Sequence, residues 1–120
     1  MYIHNIVWLD EPSSEAVLTI SDGDYSLTCF SCPCEYSVGD IIEAPLECLS
    51  VSDIEWVDPQ YSVIHTDSKF SYIIIGEVLN IADGLVRVGK ITLHINSVLF
   101  PKDIYTGQFV RFCVSRIDLF

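Results

Sequence analysis

The chain has 120 residues, of which 50% are hydrophobic and 19% are charged. This length is enough for one domain with its own core and too short for two, and the apolar content excludes a disordered chain. No apolar run approaches the roughly 20 residues of a membrane helix, and the first residues lack the pattern of a secretory signal. We therefore expect one β-rich domain over residues 1–120, in the cytoplasm and without a membrane partner.

Charge is distributed very unevenly. Seventeen acidic and six basic residues give a net charge of −11, and every lysine and arginine lies after residue 68. A field of this sign repels phosphate backbones and attracts basic proteins, so we expect a basic protein partner and no nucleic acid. A plainer interpretation, that acidity only keeps a hydrophobic chain soluble, stays open. The first 68 residues carry thirteen acids: Asp10, Glu11, Glu15, Asp22, Asp24, Glu35, Asp40, Glu43, Glu47, Asp53, Glu55, Asp58 and Asp67.

Short runs of β-branched and aromatic residues, separated by turn residues, predict strands along the whole chain. Residues 52–59 instead indicate a short helical turn or an irregular crossing, and no stretch shows a convincing helical period. The fold class predicted is all-β: a small antiparallel barrel or sandwich built of hairpins, with a Greek-key barrel of the oligonucleotide/oligosaccharide-binding type favoured. The predicted strands span 3–9, 15–21, 24–30, 40–49, 61–66, 70–81, 84–89, 91–96 and 108–118.

Two Asp-Gly pairs stand between strand-like runs, Asp22-Gly23 and Asp83-Gly84. Such pairs favour a type I′ turn, in which both central residues have positive φ. The runs that end in these pairs match closely, Val17–Gly23 against Val78–Gly84, and each hairpin is followed by a glycine that introduces an apolar strand, at Gly39 and Gly107. The pattern indicates two related β units, about 1–60 and 61–120, although hairpins also converge on it by chance.

The cysteines Cys29, Cys32 and Cys34 form the sharpest local cluster. Thiolates at such spacing suit tetrahedral zinc, with Cys48 or a histidine as fourth ligand, but strong zinc signals contain two separated pairs. A redox pair lacks the basic neighbours that lower a thiol pKa. Because the cysteine count is odd and no signal peptide precedes the domain, we expect free thiols, no disulfide, no metal and no cofactor.

Catalytic signatures are missing from the sequence. There is no nucleophile elbow, zinc-protease helix, phosphate loop or dinucleotide fingerprint, and the histidines His4, His65 and His94 are far apart. A cysteine and a histidine could still meet in space. The prediction is that the chain is not an enzyme and has no catalytic residues.

The segment from Glu55 to Tyr61 has the composition of a contact patch, because Trp56 and Tyr61 are framed by acids. Interfaces concentrate their binding energy in buried aromatic anchors, while charges at the rim mainly set the association rate. Plain packing of these aromatics is the alternative. The predicted partner-binding residues are Glu43, Glu47, Asp53, Glu55, Trp56, Asp58 and Tyr61.

In its general character the chain resembles the small acidic immunity proteins of bacterial polymorphic or contact-dependent toxin systems. The likeness rests on length, acidity, the absence of a catalytic motif and an untargeted start, Met1-Tyr2-Ile3-His4-Asn5-Ile6-Val7-Trp8-Leu9. It implies that the chain binds and neutralises a basic, nuclease-like toxin domain, but it transfers no residue roles. The alternatives are an oligonucleotide-binding-type β-barrel and a scaffold subunit of a bacterial complex.

Overall fold

A computed structural model describes residues 1–66, 68 and 70–120, so Asp67 and Lys69 lie outside the described residues. The all-β prediction is confirmed: the described residues form strands and one 3₁₀ turn at Ser97–Leu99, and no α-helix. The strands are β1 (Tyr2–Asp10), β2 (Glu15–Ser21), β3 (Ser26–Ser31), β4 (Leu46–Leu49), β5 (Ser52–Val57), β6 (Ser62–His65), β7 (Tyr72–Asn80), β8 (Leu85–Val88), β9 (Ile91–His94), β10 (Phe109–Val114) and β11 (Arg116–Asp118).

All eleven strands belong to one mixed sheet, in the order β1-β2-β3-β11-β4-β9-β8-β7-β10-β5, with β6 paired beside β7. The barrel and the two-sheet sandwich were wrong, because β1 and β5 end the sheet without pairing with each other and the described strands form a single sheet. The expectation of purely antiparallel pairing was also wrong. β3 and β11 are parallel, and so are β4 and β9.

The two parallel pairs arise from an exchange of strands between two meanders. β1-β2-β3 and β7-β8-β9 are each antiparallel meanders. The short strand that follows the first meander, β4, pairs with the third strand of the second meander, and β11 pairs with the third strand of the first. β4 and β11 then pair with each other in the middle of the sheet. The two halves of the chain therefore make equivalent connections.

Equivalent hydrogen bonds support this correspondence. The Gly39 N–H donates to the Ile3 carbonyl at 2.7 Å, and the Gly107 N–H donates to the Val78 carbonyl at 2.8 Å. Both glycines have positive φ, 93° and 92°, a conformation that side chains disfavour. The residues after each glycine lie beside the first strand of their own meander, as an isolated bridge in one half and as β10 in the other. A common origin of the two halves stays a prediction.

The two Asp-Gly pairs do not occupy equivalent positions in the two meanders. Asp22-Gly23 joins the second and third strands of its meander, whereas Asp83-Gly84 joins the first and second. The counterpart of Gly84 is Ser14: each N–H donates to the carbonyl three residues earlier, and φ is 68° at Gly84 and 57° at Ser14. Positive φ at Gly23 and Gly84 is confirmed. The type I′ geometry was wrong, because Asp22 and Asp83 are not among the described residues with positive φ.

Other differences follow from local chemistry. Only Leu46–Leu49 of the strand predicted at 40–49 is regular, since Pro45 cannot donate to a ladder. The segment expected to be irregular forms β5, and the strand keeps one irregularity: Asp53 has a φ of 58°, and the register against β10 shifts between Arg111 and Cys113. The strand predicted at 108–118 divides at Ser115 into β10 and β11, which have different neighbours.

The core is one cluster of buried side chains supplied from both halves of the chain. Its largest fully buried members include Phe112 on β10, Leu93 on β9, Leu18 on β2 and Ile117 on β11. Because one sheet encloses one cluster, the sheet must coil around it, which its right-handed twist allows. β1 and β5 end the strand order, and β6, which pairs only with β7, also has one unpaired side in the described sheet.

The two turn glycines differ in their surroundings, and alanine should separate them. A Cβ at Gly84 would lie 1.9 Å from the Ile95 carbonyl oxygen, whereas a Cβ at Gly23 meets nothing within 4 Å. Gly23→Ala should cost only the strain of positive φ, on the order of 1 kcal/mol. Gly84→Ala should cost at least about 2 kcal/mol more, because the backbone must move as well. Urea unfolding of both variants measures this, and equal losses would contradict the turn assignment.

Candidate functional site

Four of the seven predicted contact residues lie on or next to the edge strand β5. Asp53, Glu55 and Trp56 are within it, Asp58 follows directly, and all four are exposed. β5 pairs only with β10 in the described structure, so its other side offers unpaired backbone groups. The surface formed by Asp53, Glu55, Trp56 and Asp58 is called the β5 edge below.

Trp56 has 58% of its surface exposed although it faces the side of the sheet that covers the core. Its partner across the ladder is Val110, which is fully buried, and directly paired residues share a face. The indole therefore projects beyond the last strand rather than into the core. A side chain with this much free apolar surface is available as an anchor for a partner.

Tyr61 lies on the opposite face of the same edge. Its ring is 5.3 Å from the ring of Phe109, which pairs with Val57, the neighbour of Trp56. Since side chains alternate along a strand, Tyr61 and Trp56 contact opposite faces. Tyr61 also meets Tyr25 edge-on at 6.0 Å. A partner that touches both predicted anchors must therefore lie along the β5 edge and reach over both faces.

The remaining predicted residues are placed elsewhere. Glu43 is exposed before β4, and Glu47 within β4 is half-buried with its carboxylate 2.7 Å from His94 Nδ1. β4 lies in the middle of the sheet, five positions away from β5. The described contacts do not join either glutamate to the β5 edge.

Glu55 pairs with Arg111 across the ladder between β5 and β10. Both side chains are 52% exposed, so the ion pair contributes little to stability and can be exchanged for another partner. A hollow of about 400 Å³ opens beside this pair, lined by Asp53, Ile54, Glu55, Ile73, Arg111 and Cys113. The hollow belongs to the same edge.

A second concave feature, which no pattern in the sequence indicates, is a cleft of about 640 Å³ beside Tyr61. It lies where the turn between β2 and β3 meets the turn between β8 and β9. Arg87 borders it and is held by Glu77, whose hydrogen bond is the main cause that raises the Arg87 pKa, with Tyr61 contributing to the same effect. The cleft is lined by Asp22, Asp24, Tyr25, Tyr61, Arg87, Gly89 and Lys90.

The Asp22 carboxylate links the turn between β2 and β3 to the turn between β8 and β9. One carboxylate oxygen accepts the backbone N–H groups of Asp24 and Tyr25 at 2.8 and 2.7 Å, and the other accepts that of Lys90 at 2.7 Å. Desolvation alone would raise the pKa of Asp22, but these hydrogen bonds to the charged form together outweigh it, so the pKa is lowered. The contact with Lys90 spans 68 residues of sequence.

Few acids of the first part of the chain are neutralised. The arginines Arg87, Arg111 and Arg116 each pair with one carboxylate, and two of those carboxylates lie in the second part, Glu77 and Asp118. Among the described acids up to residue 66, Glu55 alone is paired with one of the described arginines and lysines. Within the described residues, Asp53 and Asp58 at the β5 edge have no such ion pair.

The clustered cysteines differ in their exposure to solvent. Cys32 is exposed, whereas Cys29, Cys34 and Cys48 are buried. Desolvation raises the pKa of the Cys29 and Cys48 thiols, which keeps them protonated and unreactive. Within the described residues there is no group of three potential ligands that could hold a metal ion.

No protein-family model, curated protein or solved structure matches the chain. Within the described residues, no helix is both long and apolar enough to cross a bilayer. The β5 edge is therefore the candidate site that the geometry itself supports: a strand with one unpaired side, an exposed indole at Trp56, and the exposed carboxylates Asp53 and Asp58.

Removing the Asp22 side chain should loosen the join between the two turns. Asp22→Ala should destabilise the protein by about 1–2 kcal/mol at pH 7, since it removes three hydrogen bonds to a charged acceptor at a partly exposed site. Because the folded-state pKa is lowered, this contribution is present above the unfolded pKa and is lost as pH falls through the folded value. Unfolding at pH 7 and near pH 3 measures the loss.

The matched control for this test is Asp24→Ala, because the Asp24 side chain is exposed and only its backbone N–H joins the turn. This variant should remain close to the wild type at both pH values. A loss of stability for Asp22→Ala that does not shrink in acid would contradict the role given to its charge.

Proposed function

We propose that the chain is a non-enzymatic, cytoplasmic protein-binding module that captures and neutralises a basic protein, as an immunity protein does with a nuclease-like toxin domain. The observation that carries the proposal is the β5 edge, where Trp56 projects between carboxylates from a strand with one unpaired side. The acidic excess and the general resemblance to immunity proteins support it. A nuclease carries a basic groove for its polyanionic substrate, and an acidic edge is complementary to that groove.

Recognition would combine three elements of the edge. A strand or extended segment of the partner adds to β5 through backbone hydrogen bonds. Trp56 fills an apolar pocket of the partner and holds the complex. Asp53, Glu55 and Asp58 attract the partner from a distance and raise its association rate, by roughly 10- to 1000-fold where steering is strong. A partner cation can displace Arg111 from Glu55, since that pair is exposed.

Tyr61 extends the contact to the outer face of the sheet. Its ring packs between Phe109 and Tyr25, so it is preorganised and loses little freedom on binding. The cleft beyond it contains Arg87 and Lys90 as well as acids. That mixture suits a polar rim around the anchor.

Neutralising the acids of the β5 edge should slow capture of the partner. The triple variant Asp53→Asn, Glu55→Gln, Asp58→Asn should lower the association rate about tenfold at low salt, with little change in dissociation, because exposed charges act mainly on encounter. The matched control neutralises Glu11, Glu15 and Glu35, which changes net charge equally but lies outside β5. Stopped-flow or surface binding with the captured partner gives both rates. Equal slowing by the two triples would exclude the β5 edge as the site.

Trp56→Ala should have the complementary effect. The variant should speed release about 30-fold or more, since removing an anchor commonly costs 2 kcal/mol or more of binding free energy, and should leave capture nearly unchanged. Trp8→Ala is the control, because Trp8 is also a partly exposed indole on an edge strand, 43% exposed on β1. Faster release with Trp8→Ala and not with Trp56→Ala would move the anchor to β1.

The partner itself is sought by affinity capture from the source cell and by testing the product of the adjacent gene. We expect a basic protein whose toxic or nuclease activity falls to background at one equivalent of the chain. Raising salt to about 0.5 M should slow association strongly, since screening then acts within a few ångströms. Recovery of nucleic acids alone, or an association rate that ignores salt, would contradict the proposal.

A further inference from the structure

The hollow beside the pair of Glu55 and Arg111 lies at an irregularity of β5. In a regular strand successive side chains turn to opposite faces, yet the three successive residues Asp53, Ile54 and Glu55 line this hollow. The pairing explains the difference, because β5 has one residue more than β10 between the positions opposite Arg111 and Cys113. Such a bulge redirects a side chain at the edge of a sheet.

The lining of the hollow combines a negative charge with an apolar wall. Its two carboxylates and one guanidinium leave a net charge of one negative unit. The apolar part of the lining is half-buried and consists of Ile54, Ile73 and Cys113. A singly charged cation with an apolar stem matches both parts of this lining. Among protein side chains, those of lysine and arginine have this composition.

A guanidinium of the chain itself already contacts one of the two carboxylates. Arg111 pairs with Glu55 across the ladder, and both side chains are 52% exposed. Glu55 is therefore placed to accept the planar fork of an arginine, and an ion pair this exposed is exchanged for another at little cost in free energy. The ammonium of a lysine is a compact, strongly hydrated charge without this fork. The hollow therefore suits arginine better than lysine.

We infer that the hollow is a binding site for one arginine side chain of the basic partner, and that Arg111 competes with this side chain for Glu55. The stem of the incoming arginine lies along Ile54 and Ile73. Its guanidinium lies between Asp53 and Glu55, while Arg111 turns out into solvent. The role in capture rests on the proposed function, because the partner brings the arginine. Since the ion pair is half exposed, the exchange acts on the association rate.

A small probe tests the arginine site on the whole chain without the partner. In an NMR titration, Nα-acetyl-arginine amide should shift the amide signals of residues 53–55, 111 and 113, with a dissociation constant on the order of 10 mM. The corresponding lysine and citrulline amides should bind at least about threefold more weakly, because the first lacks the fork and the second lacks the charge. Shifts confined to other parts of the chain, or equal affinity for all three probes, would overturn the inference.

Two variants test the competition at Glu55. Arg111→Gln should bind the arginine probe about threefold more tightly, because the carboxylate is then free of its internal partner, and Glu55→Gln should abolish the localised shifts. Lys102→Gln and Glu11→Gln are the charge-matched controls, since both residues are exposed and lie outside the lining of the hollow; they should leave the dissociation constant nearly unchanged. Equal tightening by Arg111→Gln and Lys102→Gln, or weaker binding by Arg111→Gln, would contradict the competition.

The same variants separate this inference from the proposed function once the partner is captured. Arg111→Gln should raise the association rate of the partner about threefold, and Lys102→Gln should raise it less. If the arginine probe does not bind in the hollow while neutralising the β5 edge still slows capture, the arginine site is wrong and the proposed function holds. Probe binding in the hollow without capture of any basic protein would contradict the proposed function and leave the arginine site standing.

Discussion

The exchange of β4 and β11 between the two meanders is the constraint on which the rest of the structure depends. Each of these short strands pairs in parallel with the third strand of the other half, and the two pair antiparallel with each other. Parallel pairing of such short strands adds few hydrogen bonds by itself. The contribution of these strands to stability comes mainly from burial, because Leu46 on β4 and Ile117 on β11 are fully buried. Leu46 and Ile117 thereby join the same buried cluster as the core side chains of both meanders.

The exchange also determines which surfaces stay open. Once β4 and β11 occupy the middle, the meanders run outward from the centre, and the sheet ends at β1 on one side and beyond β7 at β5 on the other. The two edges then differ in chemistry: Val7, Trp8 and Leu9 are apolar, whereas β5 contains the carboxylates Asp53 and Glu55. The proposed capture of a basic protein uses the β5 edge.

Local patterns predicted much of this from sequence, because they depend on neighbours in the chain. Alternation of apolar and polar residues located most strands, and Gly23 and Gly84 adopt the expected positive φ. Trp56 is exposed, on a segment that was predicted to be irregular. β5 was missed because Asp53, Asp58 and Pro59 have low strand propensity.

The long-range pairings could not be predicted from sequence. A strand of three or four residues, such as β11 or β4, has no pattern that specifies its neighbour or its direction. The barrel expectation failed for this reason, since consecutive hairpins gave no sign of the exchange. The same contrast between local patterns and long-range contacts applies to the candidate site. Trp56 and Tyr61 were proposed as contact residues from composition, whereas the join between Asp22 and Lys90, 68 residues apart, has no local signal.

Backbone amide hydrogen exchange with and without the captured basic partner tests the account most directly. The proposal places the partner along β5, so amides of residues 52–58 should be protected in the complex, while those of residues 5–10 on β1 should exchange as before. The two ends of the sheet serve as internal controls for each other in one experiment. Protection confined to β1, or protection at the central strands with β5 unchanged, would contradict the assignment of the β5 edge as the binding surface.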